Sequence, residues 1–138
     1  MMVLEDCTAY ARRLWMDATC AEPAVRTRKA PLELIIIHRL GSSLAGWPVS
    51  IDDITDVIGA FARLPGLRAA WPRGAIYDII VTADGRAQQW LPLACYGAHA
   101  RGASKRSIGV ACLGDFRRHA PPAAQWSALV ELVRYLQG

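Results

Sequence analysis

Two short apolar runs constrain this chain most. "LELIIIH" (residues 32–38) and "SIGVACLGDF" (107–116) are built mainly from aliphatic residues and show no polar residue at every second place. They are too short and too β-branched for helices, and strands that are apolar on both faces need cover on both. Helices packed on the two sides of a sheet provide that cover, so the expected class is α/β.

The other segments fit this plan. Residues 3 to 15 place Val3, Leu4, Cys7, Tyr10, Ala11, Leu14 and Trp15 at helical spacing, and residues 16 to 31, basic and broken by Pro23 and Pro31, read as a connection. "SIDDITDVIGAFARL" (50–64) opens with Ser50 and Asp53 at capping-box spacing. It then sets Ile51, Ile54, Val57, Ile58 and Phe61 on one helical face, until Pro65 and Gly66 stop it. "AIYDIIVTADGRAQQWLPL" (75–93) reads as two strands joined at Asp84-Gly85. The prolines of "PPAAQWSALVELVRYLQ" suit a helix start, with Trp126, Leu129, Val130, Val133 and Leu136 expected to face the sheet.

Composition narrows the class of function. At 138 residues the whole chain, 1–138, suits one domain, and 53% hydrophobic with 20% charged residues excludes a disordered chain. No run of about 18 apolar residues is present, so no membrane-spanning helix is expected. The first residues carry acids where a secretory signal needs bases, so the chain is expected to be cytoplasmic as synthesised. Cys7, Cys20, Cys95 and Cys112 show no CxxC spacing and read as reduced thiols. A net charge of +4 favours an anionic partner without choosing one.

The chemistry lies with the histidines. An isolated histidine is as a rule structural, and His119, among bases and prolines, reads as a surface loop residue. Position raises His38 above that rule. It ends an apolar strand and runs into Gly41, Ser42 and Ser43, and strand carboxyl ends are where α/β sheets form ligand crevices. An imidazole there can hold a metal or move a proton. His99 lies in "YGAHARGASKRSIGV", a glycine-containing basic loop that can offer backbone N–H groups and Arg101, Lys105 and Arg106 to an anion. A solvated loop explains the same residues equally well.

From residue 32 to 137 the order of motifs resembles the zinc-dependent N-acetylmuramoyl-L-alanine amidases, a family that includes phage lysozyme-like amidases and peptidoglycan recognition proteins. "LIIIHRLGSS" stands where that family has a strand ending in a zinc-ligand histidine. "IYDIIVTADGRAQQWLPL" stands for its tyrosine-bearing hairpin. "YGAHARGASKRSIGVACLGDF" and "PPAAQWSALVELVRYL" stand for its later loop, strand and helix. The resemblance implies a mixed central sheet flanked by helices, preceded here by the N-terminal helix and connection of 1–31. It implies zinc as cofactor with His38 as a ligand, and Tyr77 placed to position or polarise the substrate carbonyl. It also implies a muropeptide groove served by Arg39, His99, Arg101, Lys105 and Arg106.

The departures are specific. Asp78 follows Tyr77 where the family often has histidine, and Ala111 stands where some members carry a catalytic glutamate. The family completes its zinc site after the last helix, with a second histidine and a cysteine or aspartate. Such positions would fall beyond Gly138, so an incomplete site is expected within these residues. A catalytic zinc needs three protein ligands and an open position for water. By type, Asp78, His99 and Cys95 could substitute. Two functions follow from the resemblance: an amidase acting on the cell wall once released or exported, or a module that binds peptidoglycan or muropeptide without cutting. Nucleic acid is disfavoured as a partner, because the bases are spread through the chain and no reader motif is present.

Overall fold

A computed structural model describes residues 2–19, 26–40, 43–44, 47–48, 77–97 and 99–138. The helix expected over 50–64 lies outside the described residues. The elements are β1 (Leu4–Asp6), α1 (Thr8–Thr19), β2 (Arg26–Thr27), β3 (Leu34–Leu40), β4 (Ser43–Leu44), β5 (Trp47–Pro48), β6 (Ile79–Val81), β7 (Ala87–Gln89), β8 (Cys95–Tyr96), a 3-10 turn (Ser104–Arg106), β9 (Ser107–Leu113) and α2 (Ala123–Gln137). A five-stranded sheet has the order β1, β7, β6, β9, β3, and β2–β8 and β4–β5 form two small pairs. The large sheet is mixed: β6 and β7 are antiparallel, whereas β1–β7, β6–β9 and β9–β3 are parallel.

The two apolar runs fare differently. All seven residues of β9 are buried, because it lies between β6 and β3 and has α2 across one face. β3 lacks the full cover on both faces that its composition called for, because it forms the edge of the sheet among the described residues. It leaves Leu34 40% and Ile37 51% exposed.

The amino terminus also departs from expectation. Val3 and Leu4 have helical spacing, yet Leu4–Asp6 pairs with Ala87–Gln89 as a strand. Asp6 explains the switch. Its carboxylate accepts the Thr8 N–H at 3.0 Å and the Thr8 hydroxyl at 2.7 Å, which starts α1 at Thr8 rather than earlier. Glu5 and Arg86 then fasten β1 to the hairpin through two N–H···O contacts of 2.8 Å.

The β6–β7 hairpin forms as expected, though its connection spans residues 82–86. Thr82 donates to the Arg86 carbonyl at 2.9 Å, and Gly85 donates to Thr82 at 3.0 Å. Gly85 has φ +87°, and a Cβ there would stand 2.7 Å from the Ala124 carbonyl oxygen, so both the turn and the approach of α2 require glycine.

Helix α2 packs Ala128, Leu129 and Leu132 on Ile79, Val81, Ile108, Val110 and Cys112, with Val133 and Leu136 at the margin. Trp126 does not face the sheet as expected; it is 57% exposed, and Gln125 takes the inward position. The reason is hydrogen bonding. The Gln125 amide donates to Val81 O at 3.1 Å and Leu113 O at 2.9 Å, satisfying carbonyls where β6 and β9 end. Leu132 is fully buried, so Leu132→Ala should cost about 2–4 kcal/mol by urea unfolding. Trp126→Ala should stay within about 0.5 kcal/mol of the parent.

Candidate functional site

The face of the sheet opposite α2 carries the polar groups. Strand register sets His38 beside Ala111 and Ala111 beside Ile80; two residues earlier it sets Ile36 beside Gly109. Asp78 donates its backbone N–H to the Gly109 carbonyl at 3.0 Å, which continues the β6–β9 pairing. Alternation then puts His38, Ala111, Ile80, Gly109 and Asp78 on one face. His38 is half-buried there. The Tyr77 ring stands 5.3 Å from it between centroids, tilted by 51°, and the His99 ring stands 5.1 Å away, edge-on at 80°. Tyr77 precedes β6 and reaches His38 across β9, rather than from an adjoining strand.

His99 lies under the site, not along its rim as expected of a groove residue: its side chain is wholly buried. Gly109 makes this possible. A Cβ on Gly109 would lie 2.4–2.7 Å from three atoms of the imidazole, so the ring rests directly on the strand backbone. His99 Nδ1 stands 3.0 Å from His38 Nε2. His99 Nε2 stands 3.3 Å from the Ser107 hydroxyl and 3.7 Å from Asp78 Oδ2. Burial, with the nearby His38 and Arg28 adding to it, drives the His99 pKa down to about 4, so the ring is neutral near pH 7. Burial also lowers the pKa of His38 and raises that of Tyr77.

Asp78, considered above as a substitute ligand, is turned inward. Its side chain is wholly buried. Oδ2 accepts the Gly109 N–H at 2.7 Å, and Oδ1 lies 3.6 Å from Arg28 Nη2. Burial raises its pKa to about 6 against the pull of the Gly109 N–H and of Arg28. Arg28 is the residue that sequence reasoning missed, because nothing in a basic connection marks one arginine as buried. Its guanidinium donates to the carbonyls of Leu93 (3.1 Å), Ser104 (3.2 Å), Lys105 (3.0 Å), Ser107 (2.9 Å) and Cys95 (2.9 Å). Cys95, also considered as a ligand, lies in β8, and Cys7, Cys95 and Cys112 are free thiols.

Of the four bases proposed for substrate, Arg39 shares a cavity with His38, whereas Arg106 lies away from it. Arg39 follows His38 in β3, lies 3.9 Å from Asp115, and lines a cavity of about 300 Å³ with His38, Phe116 and Trp126. Arg106 pairs with Glu33 at 3.0 Å. It adjoins the Leu34–Ser107 end of the β3–β9 pair, about 13 Å along the strand from His38. Arg101 is exposed. Lys105 lines a cavity of about 500 Å³ with Arg26, Lys29 and Tyr96.

The sequence matches the N-acetylmuramoyl-L-alanine amidase family over residues 28–138. The chain belongs to that family. Its fold is shared with the Ph2119 endolysin of a Thermus scotoductus bacteriophage, at 23% identity and TM-score 0.68 over 97% of this chain and 77% of that one. It is also shared with the peptidoglycan recognition protein PGRP-Hd of Alvinella pompejana, at 22% identity and TM-score 0.68 over 99% and 78%. A third structure with this fold is a tyrosine-to-phenylalanine variant of Drosophila PGRP-LB in complex with tracheal cytotoxin, at 20% identity and TM-score 0.66 over 96% and 72%. A search of curated protein sequences found no match.

Amidases of this family are typically zinc-dependent. Tested against the donors present, His38 has the right type and a half-open position, but Asp78 and His99 are committed to the buried layer beneath it. Among the described residues, no group of three or more His, Cys, Asp or Glu could hold a metal ion. The described donor set therefore does not fit a catalytic zinc.

The buried layer generates two predictions. Gly109→Ala should displace the His99 ring and cost about 1–3 kcal/mol, read by urea unfolding and by loss of the His38–His99 contact. The second concerns pH. Asp78 has a folded pKa of about 6, above the ordinary 3.8, so its contribution to stability is complete below the lower value and is lost as pH rises toward about 6. His99 has a folded pKa of about 4, below the ordinary 6.5, so its contribution is complete above the higher value and is lost as pH falls toward about 4. The two oppose each other between about 4 and about 6. Asp78→Asn removes one of them, so stability in that variant should climb more steeply with pH across the window than in the parent.

Proposed function

We propose that this chain recognises peptidoglycan fragments, seating a muramyl peptide over His38 and Tyr77. The observation that carries this reading is the pair itself: the His38 ring of β3 and the Tyr77 ring from just before β6, with centroids 5.3 Å apart, in a member of a peptidoglycan amidase family. Burial raises the Tyr77 pKa, which keeps the phenol protonated and able to donate to a substrate carbonyl. Burial lowers the His38 pKa, which favours a neutral ring that offers a lone pair. Arg101 and Lys105 supply positive charge outside this pair for the carboxylates of a peptide stem. The PGRP-LB variant solved with tracheal cytotoxin supports a ligand of this class on this fold.

Family membership favours a second reading at the same site, hydrolysis of the N-acetylmuramoyl-L-alanine amide. Zinc would have to be held by His38 with ligands beyond those described, and the chain would act on the wall after release or export.

Calorimetric titration with a soluble muramyl peptide tests the proposal, with product chromatography on the same samples to detect amide cleavage. The parent should bind. Tyr77→Phe should weaken binding by about fivefold, the worth of one hydrogen bond. No binding at millimolar ligand would sink the proposal, and cleavage abolished by His38→Ala would establish the second reading.

A further inference from the structure

We infer that His99, set by Ser107, fixes His38 in the tautomer protonated on Nε2, so that the ring presents the bare Nδ1 to the site. A buried chain of contacts fixes where each proton sits. The Ser107 hydroxyl has one proton and gives it to the Ala103 carbonyl at 2.7 Å. Toward His99 Nε2, 3.3 Å away, it can then only accept. Asp78 Oδ2, 3.7 Å from the same nitrogen, is a second acceptor facing it. Both neighbours require the proton of His99 to sit on Nε2.

A neutral imidazole carries one N–H, so His99 Nδ1 is bare. That bare nitrogen lies 3.0 Å from His38 Nε2, which must therefore be the donor. His38 in turn has spent its N–H downward, and its remaining lone pair, on Nδ1, is the one left for the cleft. Gly109 fixes the plane of the His99 ring, since the imidazole rests on its backbone. His99 is thus a positioning residue for His38, reaching substrate only through it. Resting on the proposed muramyl-peptide reading, this names the working atom of His38 as an electron-pair donor, suited to a substrate N–H and not to a carbonyl oxygen.

The test is a long-range nitrogen–proton correlation spectrum of the full ¹⁵N-labelled chain, with both rings neutral and no ligand added. Each ring should show an N–H on Nε2 and a bare Nδ1, and the His38 ring proton should be shielded from exchange. His99→Phe, which keeps a flat ring over Gly109 but removes the acceptor, should speed that exchange by roughly tenfold or more, the loss of one buried hydrogen bond. His99→Asn, whose side-chain oxygen can replace Nδ1, should restore the protection. A proton on Nδ1 of either ring in the parent overturns the inference, as does unchanged exchange in His99→Phe. Because no ligand is present, a failed tautomer assignment is distinguishable from a failure to bind muramyl peptide.

Discussion

The wholly buried carboxylate of Asp78 is the group on which the rest of the site depends. A buried charge is costly unless it is paired and hydrogen-bonded, and Asp78 meets these conditions in part: Oδ2 accepts the Gly109 N–H, while Oδ1 has no hydrogen bond among the described residues and faces Arg28 at 3.6 Å, so burial still raises its pKa to about 6. Arg28 extends the constraint outward. Its contacts with five carbonyls bind the Leu93–Cys95 segment to the Ser104–Ser107 segment, and it brings its own neighbourhood to both. Loops that are far apart in sequence are clamped by a single planar cation with fixed donor directions.

On that clamp the site is stacked in layers. His99 rests on Gly109 with one nitrogen toward Ser107 and Asp78, and His38 rests against its other nitrogen. Strand β9 serves both sides of the molecule. Its Ile108, Val110 and Cys112 meet helix α2 in an apolar core, while its other face offers Gly109 and Ala111, small enough to leave room for imidazoles. Stability and site architecture are thus divided between the two faces of one strand. The alternation of side chains allows one face to change without repacking the other.

Much of the fold was legible because it rests on local patterns. The apolar runs, the Asp84-Gly85 turn and the proline-started helix all appeared as strands, hairpin and helix near their expected bounds. Errors arose where a local pattern met a competing contact. The helical spacing of Val3 and Leu4 gave way to sheet pairing with β7, and Trp126 gave way to Gln125 because two strand-end carbonyls needed a donor. The edge position of β3 had no sequence signal, since an aliphatic strand reads alike in the middle and at the border of a sheet.

For the site, the sequence by itself determined that His38 ends an apolar strand, that Tyr77 opens the hairpin and that His99 precedes β9. These are facts of residue type and order, and they were enough to place the chain in its family. Only the tertiary structure decided how each is placed: that Asp78 turns inward, that the His99 side chain lies buried against His38, and that Arg28 closes the layer. The physical reason is that hydrogen-bond partners and burial are set by groups 8 to 79 residues apart in the chain, such as Ser107 with His99 and Arg28 with the Ser107 carbonyl, whose meeting no local spacing encodes.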